Sequence, residues 1–384
     1  MNKLIGRHNE RIKIKNLLFS SKSEFLILYG RRRVGKTFLI KKMFAKYPYF
    51  FHFTGKKDEP TKEALSRFGE SLSKFFNLTF KYNESISSWK KAFELLKDQI
   101  RLSQTKKFVI FIDETPWLDS YGSRIIDEID HFWNDFCSMD AKVLLILCGS
   151  AASWIMDNII NNKGGLHNRM TARIILKPFN LKEAKFFMEE KKLHKTNKEI
   201  LDLYLAIGGV PLYLHQIQKS LSVAHNIDEI YFQENGLLYD EFSKLYASLF
   251  KNSQKYIQIL DYISQHHYGR NLIQITQGLK ISSGGRLVKR LNELVACGFL
   301  ARFNIIGKKE KGHYFKVIDE FTNFYFYWLK NRINPLILTN TQGEWNKIID
   351  TPKWQTWIGM AFENCCFKHI PEIKKAIGLG ALLI

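Results

Sequence analysis

Apolar positions in the first half of the chain fall into short, nearly unbroken runs separated by amphipathic stretches. The runs are Phe25-Leu26-Ile27-Leu28, Phe108-Val109-Ile110-Phe111-Ile112 and Val143-Leu144-Leu145-Ile146-Leu147-Cys148. Continuous apolar strands of this kind fit a parallel sheet buried on both faces. Two further strands are predicted, from the aromatic and β-branched content of 49–54 and from Arg173-Ile174-Ile175-Leu176. Helical spacing marks Ile12, Ile14, Leu17 and Leu18, then Leu65, Phe68, Leu72, Phe75 and Phe76, then Trp89, Phe93 and Leu96. Strands alternating with helices indicate an α/β unit over 1–180, whose aromatic residues read as core.

Beyond Pro178-Phe179-Asn180 the pattern becomes helical. Over 181–240 it is interrupted by Gly208-Gly209-Val210-Pro211, where the glycines end one helix and the proline starts the next. Asn180 reads as an N-cap. Over 241–320, helical stretches at 253–265, 271–279 and 286–294 precede two short strands, 299–303 and 314–318, around a basic turn at 307–312. Three helices and a two-stranded hairpin predict a winged helix-turn-helix. Residues 321–384 are aromatic and read as helices packing on that module. The polar stretch 157–172 reads as a mobile loop.

The chemistry concentrates where the first strand ends. Gly30-Arg31-Arg32-Arg33-Val34-Gly35-Lys36-Thr37 lies between an apolar strand and an amphipathic helix, the context that a phosphate-binding loop requires. Glycines at 30 and 35 let several backbone N–H groups face one phosphate. Lys36 can reach the outer phosphates of a nucleotide, and the Thr37 hydroxyl can hold Mg²⁺. The third strand ends in Asp113-Glu114. Asp113 suits the water shell of Mg²⁺ and Glu114 suits orienting or deprotonating an attacking water; acidic residues also favour a helix N-terminus. Ser150, after the fourth strand, is either a γ-phosphate sensor or a helix cap. Arg169, before the fifth strand, is a candidate for the γ-phosphate of its own or a neighbouring subunit. Gly6-Arg7 is either a helix cap or part of an adenine pocket.

With 384 residues and a net charge of +21, the chain has room for two or three domains and an electrostatic preference for polyanions, nucleic acid first. Arg286, Lys289 and Arg290 on the third helix of the winged module can meet duplex DNA. Against this, lysine is spread along the whole chain, and such modules also serve as protein–protein spacers. The five cysteines show neither a zinc spacing nor a disulfide framework; the adjacent Cys365-Cys366 read as apolar thiols. No apolar run reaches membrane-spanning length and the N-terminus lacks a signal-peptide core, so a soluble cytoplasmic protein is expected.

Gly6-Arg7, Gly30–Thr37, the strand ending Asp113-Glu114-Thr115-Pro116-Trp117 and Gly209-Val210-Pro211 together resemble the archaeal-type ATPases, members of the AAA+-like signal-transduction (STAND) group. The resemblance covers nearly the whole chain. It implies strand order five-one-four-three-two with a helical lid over 181–240, and an ATP-hydrolysing switch that binds ATP and Mg²⁺ between sheet domain and lid. It implies that Gly6 and Arg7 lie near the adenine, that Gly209 and Pro211 belong to the lid motif touching the nucleotide, that Ser150 is the sensor, and that self-association can supply Arg169 in trans. A DNA-binding regulator whose ATP site only sets conformation is the second reading. Family members often end in a nuclease-like domain, and 357–363 looks like its opening helix with Glu363 its first acidic residue. The Asp and Glu-x-Lys expected later do not follow, so that domain is expected to be truncated or absent.

Overall fold

A computed structural model describes residues 4–78, 86–103, 105, 107–139, 142–160, 165–282, 284–304, 312–330 and 344–379. Parts of the expected loop (161–164) and of the basic turn (307–311) lie outside the described residues, as do the last residues, 380–384. The chain divides into two compact units, Met1–Arg31 with Gly35–Leu176, and Arg32–Val34 with Lys177–Ile384.

The first unit is built on five parallel strands, β1 (Glu24–Tyr29), β2 (Phe50–Thr54), β3 (Phe108–Asp113), β4 (Val143–Gly149) and β5 (Ala172–Ile175), in the order β2-β3-β4-β1-β5. This is the expected order read from the other edge. Burial follows position in the sheet. The central strands β3 and β4 are buried throughout, as their continuous apolar runs require, whereas edge strand β2 alternates buried and half-buried positions. The aromatic residues of the expected helical region are core: Phe68 packs edge-on against Phe51, Phe53 and Trp89. That region is two helices, Thr61–Phe76 and Trp89–Leu102, the first ending at Asn77 in the left-handed conformation.

The expected mobile loop at 157–172 carries local order on both sides of its undescribed part. A π turn covers Met156–Ile160 and a 3-10 turn covers Gly165–Asn168. The polar composition that signalled a loop is satisfied by local bonds, such as that from Asn158 Nδ2 to the Trp154 carbonyl at 3.0 Å.

The second unit opens with helices Leu181–Glu190, Asn197–Ile207 and Pro211–Leu214. Asn180 with Glu183 and Thr196 with Glu199 form reciprocal capping boxes. Further on, helices Ser253–Ser264, Leu272–Leu279 and Gly285–Ala296 accompany an antiparallel sheet. Its strands are β6 (Arg270–Asn271), β7 (Leu300–Phe303) and β8 (Tyr314–Val317), in the order β6-β8-β7. The sequence indicated only the last two; β6 is two residues long and gives no period. The aromatic segment forms helices Glu320–Phe324, Glu344–Ile349 and Pro352–Lys368, with a π turn at Tyr325–Leu329. Trp328, Trp345, Trp354 and Trp357 converge into one cluster of tilted and edge-on rings, with centroids 4.9–6.1 Å apart between neighbours.

Gly209 is fixed by close approach. Its carbonyl accepts from Phe179 N–H at 2.7 Å, and a Cβ at this position would overlap the Phe179 carbonyl. Gly209→Ala is expected to cost at least about 2 kcal/mol in urea unfolding, because only backbone movement relieves the overlap. Gly284→Ala, which meets open space at an ordinary φ, is expected to stay within about 0.5 kcal/mol of wild type.

Candidate nucleotide site

The loop 30–37 leaves β1 at the carboxyl edge of the sheet, where ligands of open α/β sheets bind. Its two glycines are required for different reasons. A Cβ on Gly30 would strike the carbonyl of Leu176, just past strand β5, whereas Gly35 has open space around it but a φ of +92°. Arg33 also holds a positive φ, +70°. Arg31, Val34 and Lys36 are buried and Arg32 is exposed. Lys36 Nζ donates to the carbonyls of Gly30 at 2.9 Å and Arg31 at 3.0 Å, so its ammonium lies across the concavity of the loop.

The acidic strand end meets this loop from β3. Thr37 Oγ1 donates to Asp113 Oδ2 at 2.6 Å, and Asp113 Oδ1 accepts from the Glu114 N–H at 3.0 Å. Glu114 sits at φ 47°, ψ 45°, a left-handed conformation unusual for a non-glycine residue and costing on the order of 1–2 kcal/mol. Its Oε2 accepts from both the Ser150 N–H at 3.1 Å and the Ser150 hydroxyl at 2.9 Å. Neither capping alternative holds. Glu114 makes no side-chain cap bond to the turn Thr115–Trp117, and the helix Ala152–Ile155 starts from Ala151, with the Ser150 hydroxyl directed to Glu114.

Other candidates are placed with mixed results. Gly6 and Arg7 both have positive φ, and the buried Arg7 occupies the N-cap position of helix His8–Phe19, its carbonyl accepting from the Arg11 N–H at 2.9 Å. Pro211 begins its short helix as expected. For Arg169 the strand register bears on one of its two alternatives, the loop of its own subunit. Thr171 pairs with Phe25, at the amino-terminal end of β1, while the loop departs after Tyr29. Four residues of strand, about 13 Å, separate the two, and Arg169 lies beyond Thr171, with its Nε 4.0 Å from Asp130. The phosphate loop of its own subunit is therefore out of its reach. Glu363 is likewise committed elsewhere, to Lys316 at 2.8 Å and His267 at 2.6 Å. No group of three or more metal-ligating side chains exists among the described residues.

The family described as an ATPase domain predominantly from Archaea matches residues 4–217, more than half of the chain. This chain belongs to that family. Relatives agree in extent. The ATPase is 26% identical over 374 residues to the uncharacterized protein MJECL04 of Methanocaldococcus jannaschii, covering 97% of this chain and 78% of that one. It resembles the Walker-type ATPase PABY2304 of Pyrococcus abyssi in structure (20% identity, TM-score 0.56, 84% of this chain and 96% of that). The ORC2 protein of Aeropyrum pernix shares the fold at 12% identity, with TM-score 0.50 and 96% of each chain covered. At these identities the two solved structures speak for the fold alone. No helix among the described residues of the ATPase is long and apolar enough to cross a membrane.

Two features of the ATPase had no signal in its sequence. Arg33 Nη1 lies 2.6 Å from Glu241 Oε2, and the other oxygen of that buried carboxylate accepts from the Tyr213 hydroxyl at 2.7 Å. These partners are about two hundred residues from the loop, so no local spacing announces them. The second is His52, which faces Thr54 across a 2.8 Å hydrogen bond beside Phe111. Burial, helped by Lys41 and opposed by Asp113, lowers its pKa to about 4. The unfolded chain then binds more protons than the folded one between about pH 6.5 and 4, so this contribution to stability is complete above that window and lost as pH falls through it. Urea unfolding is expected to show a smaller loss of stability between pH 7 and 4.5 in His52→Phe than in wild type; equal losses would contradict the assignment.

Proposed function

We propose that the ATPase is a slow, nucleotide-driven switch of the STAND/AAA+ type, binding ATP with Mg²⁺ at Gly30–Thr37. The observation that carries this reading is the convergence of Lys36, Thr37, Asp113, Glu114 and Ser150 at one edge of the sheet. The Thr37 hydroxyl and the free lone pairs of Asp113 are hard oxygen donors that suit Mg²⁺. When bound there, the ion would neutralise charge on the β- and γ-phosphates. Lys36 exchanges its bonds to loop carbonyls for phosphate oxygens. Glu114 orients and deprotonates water with its remaining oxygen, Oε1, while Ser150 fixes the other and serves as sensor. Gly209 and Pro211 belong to the lid motif, and Gly6 and Arg7 to the adenine side.

Because the strand register keeps Arg169 from the loop of its own chain, an arginine acting on the γ-phosphate comes from a second copy. Such an arginine supplies about a thousandfold or more in phosphoryl transfer, so a lone chain turns over slowly and ATP occupancy is the signal. In a titration with MgATP, Lys36→Ala and Thr37→Ala are expected to bind at least about tenfold more weakly than wild type, and Arg169→Ala to leave both binding and monomer turnover unchanged. Unaltered binding in Lys36→Ala would remove the reading.

The exposed positions of Arg286 and Lys289 on helix Gly285–Ala296 favour duplex DNA as a partner of the winged module. Arg290 is half-buried, 5.9 Å from the centre of the Tyr256 ring, and is the weaker candidate of the three. Salt-dependent binding of duplex DNA that Arg286→Ala/Lys289→Ala weakens supports this reading; no binding at low salt rejects it.

A further inference from the structure

A cavity of about 320 Å³ opens within the second unit, between the helix Ser253–Ser264 and its following turn, strand β8, and the helix Pro352–Lys368. Phe326, Tyr327 and Trp357 supply aromatic walls, while Lys316, His267 and Asn364 supply polar groups. Lys316 is an unusual lining residue, a cation with only 7% of its side chain exposed. A buried ammonium needs a counterion, since its desolvation is otherwise uncompensated. Its counterion is Glu363, which reaches Lys316 Nζ at 2.8 Å and His267 Nε2 at 2.6 Å but leaves 54% of its own side chain in solvent. Hydrogen bonds from Lys316 and His267 hold that carboxyl below its usual range. The other charged pair of the cavity is self-contained, with Lys330 bonded to both oxygens of Asp261 at 2.7–2.8 Å. Asn364 adds a buried Oδ1 with no hydrogen-bond partner.

A buried ammonium and a partly exposed imidazole are thus neutralised by a half-exposed carboxylate, next to an aromatic chamber containing an unused acceptor. We propose that the cavity binds a small aromatic carboxylate bearing a ring N–H. Its ring packs on Phe326, Tyr327 and Trp357, its N–H reaches Asn364 Oδ1, and its carboxylate replaces that of Glu363 on Lys316 and His267. The exchange conserves charge around the buried Lys316, so its cost is small, and the ring contributes apolar burial that the Glu363 side chain does not. None of the residues that line this cavity belongs to the phosphate loop.

The test is calorimetric titration of the full chain, saturated with MgATP, using indole-3-carboxylate and its neutral isostere indole-3-carboxamide. The carboxylate is expected to bind about tenfold or more tightly than the carboxamide, the difference expected of a charged hydrogen-bonded pair. Glu363→Gln, which removes the internal competitor, is expected to tighten carboxylate binding. Lys316→Met is expected to abolish the preference, and His267→Gln, at a more exposed position that leaves the cation in place, to reduce it. Lys36→Ala is expected to change nothing, which separates this site from the nucleotide site. Equal affinity for the two probes in wild type, no binding of the carboxylate in wild type and Glu363→Gln alike, or a preference that survives both Lys316→Met and His267→Gln would overturn the proposal.

Discussion

The hydrogen bond from Thr37 to Asp113, 2.6 Å long, joins residues seventy-six positions apart and depends on the sheet being wound as it is. β4 lies between β1 and β3, so the loop leaving β1 must bridge one strand to meet the carboxylate ending β3. The register makes this possible: Tyr29 is opposite Gly149, and Ile112 opposite Leu147, so three strands end at nearly the same height. Gly30 has no side chain because the β5 side of the loop is occupied by the Leu176 carbonyl. Sheet order, register and a missing Cβ thereby place an ammonium, a hydroxyl and two carboxylates together.

The same edge carries conformational strain. Arg33 and Glu114 both hold left-handed backbone conformations that neither side chain favours. Glu114 is compensated locally, by two hydrogen bonds from Ser150 to one carboxylate oxygen, and Arg33 by its ion pair with Glu241. Strained residues persist where surrounding contacts over-determine them, and they concentrate at functional sites. Arg33, Glu241 and Tyr213 all belong to the second unit, so this ion pair and the hydrogen bond behind it are internal to that unit.

Much of this was legible in the sequence, for identifiable reasons. The strands β1, β3 and β4 announce themselves because burial on both faces demands unbroken apolar runs, and the phosphate loop because its glycines and Lys36-Thr37 have no interchangeable substitutes. The direction of the Glu114 and Ser150 side chains was not legible, since capping and site roles favour the same residue types at a strand end; the structure pairs the two side chains with each other, with no side-chain cap bond to the turn or helix that follows. Arg169 looked available because spacing before a strand carries no information about which end of the sheet that strand begins. β6 is too short for any period, and the pairs Arg33–Glu241 and Lys316–Glu363 join residues far apart in the chain. What sequence pattern encodes is local conformation and burial; what it leaves out here is which distant charge each buried charge meets.

The central chemical claim is that Glu114 activates water without being needed to hold the nucleotide. Parallel measurement of MgATP affinity and phosphate release in wild type and Glu114→Gln isolates that step. Binding within about threefold of wild type, with phosphate release lowered at least about a hundredfold, is the expected result for loss of a general base whose contribution is typically two to four decades. Undiminished phosphate release in Glu114→Gln would contradict it.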